Sequence, residues 1–347
     1  MTIVAPTTAT NGDLLAAARL MLQQMGIAPE DLLSQAVVRP PAPTFDEYIP
    51  IVSAAVTNST RRAYGSYWKR ALARWSGRRI DDVPPSEISA LVEYTKTHTV
   101  KRKNARGGNS AGEHMVAALR CLYKHAVADG YIDADKNPAA KVPKPRRQPS
   151  NRRGLADQRI EEIINVASST GNDPVLDSLL IRLHLETACR RGAAINLRRM
   201  DLDPDQCLIM LREKGGIYRW QPVTPTLMAH LIEHSNARGS LEPQSHLLRY
   251  LDGHPITKRR YDTLWSRVCE HLPWADQQDV STHWLRHTTL TWVERNFGLA
   301  VAQAYAGHQT TNDNLTTTTY IRASLHEVAT ALAAMTGEYH PMALSTE

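Results

Sequence analysis

Arg190, Lys214, His283, Arg286, His308 and Tyr320 occur in that order along the chain, and most of them fall within Ser281–Tyr320. Arginine carries a planar, permanently charged fork that suits phosphate oxygens. Lysine and histidine can move a proton, and a tyrosine phenol becomes a nucleophile once a neighbour takes its proton. Such a set fits attack on a phosphate ester, where charge builds on the non-bridging oxygens. Each residue also has a plain reading of its own. Arg190 beside Arg191 could be a helix-end cation pair. Lys214 could be a solvated turn residue, with Arg219 in the next strand as its rival. His283 and His287, four apart, could share a metal, although Trp284 stands where a zincin motif needs glutamate. His308 after Gly307 could mark a helix stop, and Tyr320 could be packing, like most tyrosines.

The elements that would position these groups lie after about Gly154. Helices are expected near Asp157–Ala167 and Pro174–Thr187, and another through ACRRGAAINLRRMDLD. CLIMLR (207–212) and YRWQPV (218–223) read as strands, joined by Glu213-Lys214-Gly215-Gly216, whose glycines supply a tight hairpin. Further helices are expected at Thr226–Ser235, Ile256–His271, His283–Asn296 and Leu299–Ala306, with Gly298 and Gly307 at C-terminal cap positions. Ser324-Leu325-His326-Glu327 is a capping box that opens a tail helix with Leu325, Val328, Leu332 and Met335 on one face.

Residues 44–141 are patterned as helices throughout. Tyr64, Trp68, Leu72 and Trp75 form one stripe after an N-cap at Ser59 or Thr60, with Arg61 and Arg62 beside it. A second helix spans roughly Ser86–Thr97. A third, about Ala111–Asp129, buries Met115, Leu119, Leu122 and Tyr123. Between them KRKNAR (101–106) places Lys101, Arg102, Lys103 and Arg106 together without an acid. The segment 142–153, which follows Lys141, is basic and Pro-rich, with Lys144, Arg146 and Arg147, and reads as a semi-rigid linker able to follow a phosphate backbone. Residues 1–43 read as a separate helical appendage or as a partly ordered tail, with Leu14, Leu15, Leu22 and Met25 at helical spacings and Leu32–Leu33 beyond.

Of the 347 residues, 42% are hydrophobic and 22% charged, which allows a real core and favours two domains. A net charge of +6 agrees with a polyanionic partner. The cysteines at 121, 189, 207 and 269 make no C-x-x-C pair, against a zinc ribbon or disulfide framework and in keeping with a reducing compartment. No run approaches a membrane span, no basic-then-apolar leader opens the chain, and no G-x-x-x-x-G-K-[ST] loop occurs.

In order and context the set resembles the tyrosine recombinase (phage integrase) family. Thr187-Ala188-Cys189-Arg190-Arg191-Gly192 is like its first arginine box, and Lys214 falls in a hairpin turn as the family's lysine does. Thr282-His283-Trp284-Leu285-Arg286-His287-Thr288 is similar to its His-x-Leu-Arg-His-Thr core. Gly307-His308 and Thr316-Thr317-x-x-Tyr320 are similar to the last elements. The resemblance covers the second domain.

It implies a mainly α protein. A helical, SAM-like DNA-binding domain (44–141) would join an α-rich α+β catalytic domain (154–323) that carries a small antiparallel sheet. Together they would form a C-shaped clamp on DNA, and the 324–347 tail helix would be a candidate for exchange between protomers. It also implies duplex DNA with specific sites as partner, four protomers on two sites, accessory DNA-binding proteins in some systems, no cofactor, and a cytoplasmic, nucleoid-associated location. Tyr320 would be the nucleophile, Arg190 and Arg286 the phosphate forks, Lys214 the general acid, and His283 and His308 partners in proton transfer, without metal or ATP. DNA would be held by Arg61, Arg62, Lys101, Arg102, Lys103, Arg106, Lys144, Arg146 and Arg147. The sequence departs from the family in two places. Ala193 stands where an acidic residue often supports the first arginine, and Gln309–Thr319 lengthens the path to Tyr320. The rival readings are a type IB topoisomerase, a catalytically silent DNA-binding regulator and a metallohydrolase.

Overall fold

The computed structural model describes residues 11–26, 41–100, 108–146, 153–213, 216–307 and 323–344. It divides into two compact units, Met1–Gln148 and Pro149–Glu347.

The first unit is helical: α1 (Asn11–Gln24), α2 (Phe45–Ala55), α3 (Asn58–Trp75), α4 (Pro85–Thr97) and α5 (Asn109–Ala128). The sequence pattern did not isolate α2, because Pro50 lies inside it and removes one backbone donor. The signal for α2 is the capping box in which Thr44 and Glu47 serve each other's backbone N–H. The N-cap of α3 is Thr57, not Ser59 or Thr60, since the Thr57 hydroxyl accepts from the Thr60 N–H at 3.3 Å. The expected stripe does point inward. Trp68 and Trp75 are buried, and Tyr64 and Leu72 pack against the same cluster as Met115, Leu119, Leu122 and Tyr123. Hydrogen bonds fix the aromatic tips: Trp68 Nε1 donates to Ala118 O at 3.0 Å and Tyr123 OH to Ile80 O at 2.9 Å. Leu32–Leu33 lie outside the described residues.

The second unit begins with α6 (Asp157–Ser169) and α7 (Pro174–Thr187), followed by α8 (Arg191–Ile195) and a 3-10 turn at Arg199–Asp201. Next come β1 (Leu202–Asp203), β2 (Leu208–Arg212) and β3 (Tyr218–Pro222). The remaining helices are α9 (Pro225–Ala237), α10 (Lys258–His271), α11 (Pro273–Gln278), α12 (Thr282–Ala306) and α13 (Leu325–Thr336). The helix expected through residues 188–203 is therefore only one short turn. Asn196 caps its end, and beyond it Asp201 Oδ2 accepts from the Arg198 N–H at 2.8 Å and caps the 3-10 turn that leads into β1. The strands form an antiparallel sheet in the order β1-β2-β3, with Ile209 opposite Gln221 and Leu211 opposite Arg219. β1 and α11 are too short for periodicity to reveal.

One core joins α6, α7, the sheet, α9, α10 and the start of α12. Inside it Asp177 receives Arg260 Nε at 2.7 Å and also the guanidinium of Arg267. A second cluster packs Val328, Ala331 and Leu332 of α13 on Val293, Val301 and Tyr305 of α12. The tail helix thus covers its own unit. Beyond it, Glu338 accepts from the Thr226 N–H at 2.7 Å, and His340 Nε2 donates to Cys207 O at 3.2 Å. α12 breaks at Gly298 (φ +82) and ends at Gly307 (φ +62), the two cap positions read from the sequence.

Candidate active site

Arg190 sits where α7 ends. The α7 C-cap, Ala188, is left-handed, and this turns the chain so that Arg190 becomes the extended N-cap of α8. The neighbouring Arg191 turns elsewhere, to Asp262 at 2.8 Å, so the two do not act as a cation pair. Arg190 Nη1 donates to Glu213 Oε2 at 2.7 Å, while its side chain stays 41% exposed.

Glu213 is the last described residue before Lys214 and follows β2. Its side chain is 1% exposed. Alternation along the strand explains this: Ile209, Leu211 and Glu213 share the buried face, while Met210 and Arg212 are less buried. On β3 the same parity turns Arg219 and Gln221 inward and Tyr218 and Trp220 outward. Arg219, 11% exposed, places Nη2 at 3.5 Å from Glu213 Oε1 and bonds Gln221 with Nη1. Its buried Nε has no hydrogen-bond partner among the described residues. That edge of Arg219 lies against Gly307, where a built Cβ would stand 2.4 Å from the Nε.

Arg286 comes from the first turns of α12 and is 4% exposed. It donates to Ala188 O, at the arginine loop, and to Ala306 O at 2.7 Å, at the far end of its own helix. Burial pulls its pKa down to about 10, with Arg190 and Arg219 adding to the effect and Glu213 opposing it. Burial likewise lowers Arg219, against the pull of Glu213. Two guanidiniums therefore pair with one buried carboxylate and a third, that of Arg286, lies within electrostatic reach of all three, leaving an excess of positive charge. Such a pocket favours an anion with several oxygens.

His283 is exposed and meets His287 edge to face, ring centres 4.9 Å apart. Trp284, between them in sequence, is buried. Tyr305, the other tyrosine near the Gly-His turn, is fully buried and its hydroxyl donates to Glu186 O, which takes it out of contention as a nucleophile. Lys214, His308 and Tyr320 lie outside the described residues, as do Lys101, Arg102, Lys103, Arg106 and Arg147. Arg61 is committed locally, Nε donating to Ser53 O at 2.7 Å at the end of α2, whereas Arg62, Lys144 and Arg146 are exposed.

The structure thus brings Arg190 and Arg286, both named from the sequence, to one place, and adds Glu213 and Arg219. Glu213 passed as a turn residue because its neighbour carries the chemistry. An acid at an inward position of an otherwise apolar strand was the available signal. Arg219, read as a rival for the lysine's role, is an inward cation at the base of the hairpin.

A family model for the phage integrase family matches residues 153–327, the segment that contains all of this geometry. The chain belongs to the phage integrase family. It is similar to the tyrosine recombinase XerD of Mycobacterium leprae, 27% identical over 290 residues that cover 74% of this chain and 85% of that one. XerD of Mycobacterium tuberculosis is 24% identical over 313 residues, 80% of this chain and 91% of the relative. Among solved structures, a lambda integrase dimer bound to a COC′ core site matches with a TM-score of 0.60. That match is at 16% identity and covers 90% of this chain and 86% of that one. A lambda integrase tetramer bound to a Holliday junction gives 0.59 at 14% identity, over 93% and 89%. The integrase fold is therefore this chain's fold, and the protein is a tyrosine site-specific recombinase that breaks and rejoins DNA. Among the described residues no helix is long and apolar enough to cross a membrane.

Proposed function

We propose that the recombinase cuts each strand of a specific duplex site by attack of Tyr320 on the scissile phosphate. The cluster of Arg190, Arg219 and Arg286 around buried Glu213 is the observation that carries this reading, because its surplus positive charge suits the oxyanion of the transition state. Arg190 and Arg286 grip the non-bridging oxygens, and losing one such donor typically costs about 3–4 kcal/mol of barrier. The phenol oxygen of Tyr320 forms the new P–O bond as the bond to the 5′ oxygen breaks. Lys214 delivers the proton that this oxygen needs, and His283 and His308 assist the transfers around the phosphate.

The resulting 3′-phosphotyrosine keeps the energy of the broken ester. A 5′-hydroxyl from the partner duplex can therefore reverse the step without a nucleotide. The lambda integrase complexes on a core site and on a Holliday junction support a pathway through a four-way junction, with four protomers on two sites. Arg62, Lys144 and Arg146, exposed and basic, are suited to the DNA backbone, and the basic stretch 101–106 joins them in this reading.

The test is a nicked suicide duplex carrying a site selected from random sequence by cleavage. Wild-type protein should become covalently attached, and Arg286→Ala should bind the duplex yet lose the adduct. Relaxation of a one-site plasmid without strand exchange between two sites would instead favour the topoisomerase reading.

A further inference from the structure

We propose that Glu213 is a positioning residue of the phosphate cradle, its buried carboxylate holding Arg190 and Arg219 at the spacing that the reacting phosphate requires. The inference rests on the reading of Arg190 as a phosphate-binding residue.

Four observations support it. First, Glu213 reaches both cations at once, Oε2 to Arg190 at 2.7 Å and Oε1 to Arg219 at 3.5 Å. Second, Arg190 is 41% exposed and begins a helix of five residues, so its backbone does little to fix so long a side chain. Ordering a free arginine costs rotamer entropy, and the carboxylate meets that cost before DNA arrives. Third, Arg190 and Arg219 are near enough to disfavour the charge on Arg286, and the carboxylate of Glu213 offsets that repulsion. Without it Arg190, the most exposed of the three, is free to swing into water. Fourth, Ala193 on the same short helix is buried and has no carboxylate to offer, so the acid that serves Arg190 comes from the strand instead.

There is a consequence for the hairpin. Glu213 immediately precedes Lys214, so the carboxylate ties the root of the lysine arm to Arg190. The groups that bind the phosphate and the group that protonates the leaving oxygen then share one anchor. Glu213 itself touches no reacting atom and supplies no proton.

The test compares single-turnover cleavage of a suicide duplex with a natural phosphate and of one with a methylphosphonate at the scissile position. The methylphosphonate is neutral, so it has less need of a well-placed arginine. Glu213→Gln keeps the shape and removes the charge. On phosphate it should cleave about tenfold to hundredfold more slowly, with DNA affinity within about twofold of wild type. On methylphosphonate the deficit should shrink to about threefold or less, because the arginine it misplaces is no longer needed. Glu213→Asp, which keeps the charge one methylene short, should fall between Gln and wild type on phosphate.

Wild-type cleavage of phosphate by Glu213→Gln overturns the inference, and so does an equal deficit on both substrates. If Glu213→Gln melts well below wild type, Glu213→Asp decides in the same way, an equal deficit on both substrates again counting against the proposal. Arg190→Ala serves as the reference. If it cleaves phosphate normally, the reading of Arg190 fails. If it is defective while Glu213→Gln is not, only the role of Glu213 fails.

Discussion

Gly307→Ala is predicted to damage both catalysis and stability. Gly307 has φ +62, and a left-handed alanine costs about 1–2 kcal/mol. The new Cβ would stand 2.4 Å from Arg219 Nε and 2.5 Å from its Cδ, distances that real Cβ atoms do not tolerate. Arg219 cannot simply withdraw, because Glu213 and Gln221 hold its guanidinium. Either Arg219 breaks those contacts or the end of α12 shifts, and Ala306 O, which holds Arg286 at 2.7 Å, shifts with it. Overpacking of this kind adds about 1–3 kcal/mol, for a total loss of stability of about 2–5 kcal/mol. Cleavage should fall a hundredfold or more, the effect of displacing one oxyanion donor.

Urea melts and single-turnover cleavage measure the two effects. Gly337→Ala is the control: it too is a left-handed helix C-cap (φ +71), but nothing lies within 4 Å of the built Cβ, so it should show the backbone strain and cleave normally. A double-mutant cycle with Arg219→Ala isolates the clash, and the pair should be less unstable than the two single losses added together. The reasoning is refuted if Gly307→Ala behaves like Gly337→Ala, or if removing Arg219 relieves none of the loss.

Further outcomes follow from buried groups outside the cradle. Burial pushes His184 and His234 down to about 4, from 6.5 in the unfolded chain. The unfolded state therefore takes up protons first, so stability is full above about pH 6.5 and declines as pH falls towards 4. The loss is about 2 kcal/mol per histidine at pH 5, and melts that do not weaken between pH 7 and 5 would contradict it. Asp177→Ala strands Arg260 and Arg267 in the core and should cost about 3–5 kcal/mol in urea unfolding; a loss under about 1 kcal/mol would show that the cluster is not the anchor described. Tyr305→Phe removes only the bond to Glu186 O, about 1 kcal/mol, and should still yield the covalent adduct with DNA.

Much of this was legible in sequence because the relevant signals are local. The stripe through Trp68 and Trp75, the Ser324–Glu327 capping box and the positive φ at Gly298 and Gly307 each depend on a few neighbouring residues. Where several residues could cap the same stretch, the sequence misleads: the helix expected through residues 188–203 stops at Ile195, with Asp201 capping a separate 3-10 turn, and the Thr57 hydroxyl rather than Ser59 or Thr60 starts α3. Arg190 and Arg286 could be named from their motifs, but what holds them could not. Glu213 serves Arg190 across a sequence gap, and Arg286 is fixed by the carbonyls of Ala188 and Ala306, which have no residue-type signature at all.

The central claim is that a tyrosine carries the broken strand and that it is Tyr320. The most direct measurement traps the adduct on a nicked suicide duplex, digests it and locates the nucleotide-bearing peptide by mass spectrometry. The account predicts one modified peptide, containing Tyr320, and no adduct from Tyr320→Phe. An adduct that survives Tyr320→Phe, or maps to any other residue, would contradict it.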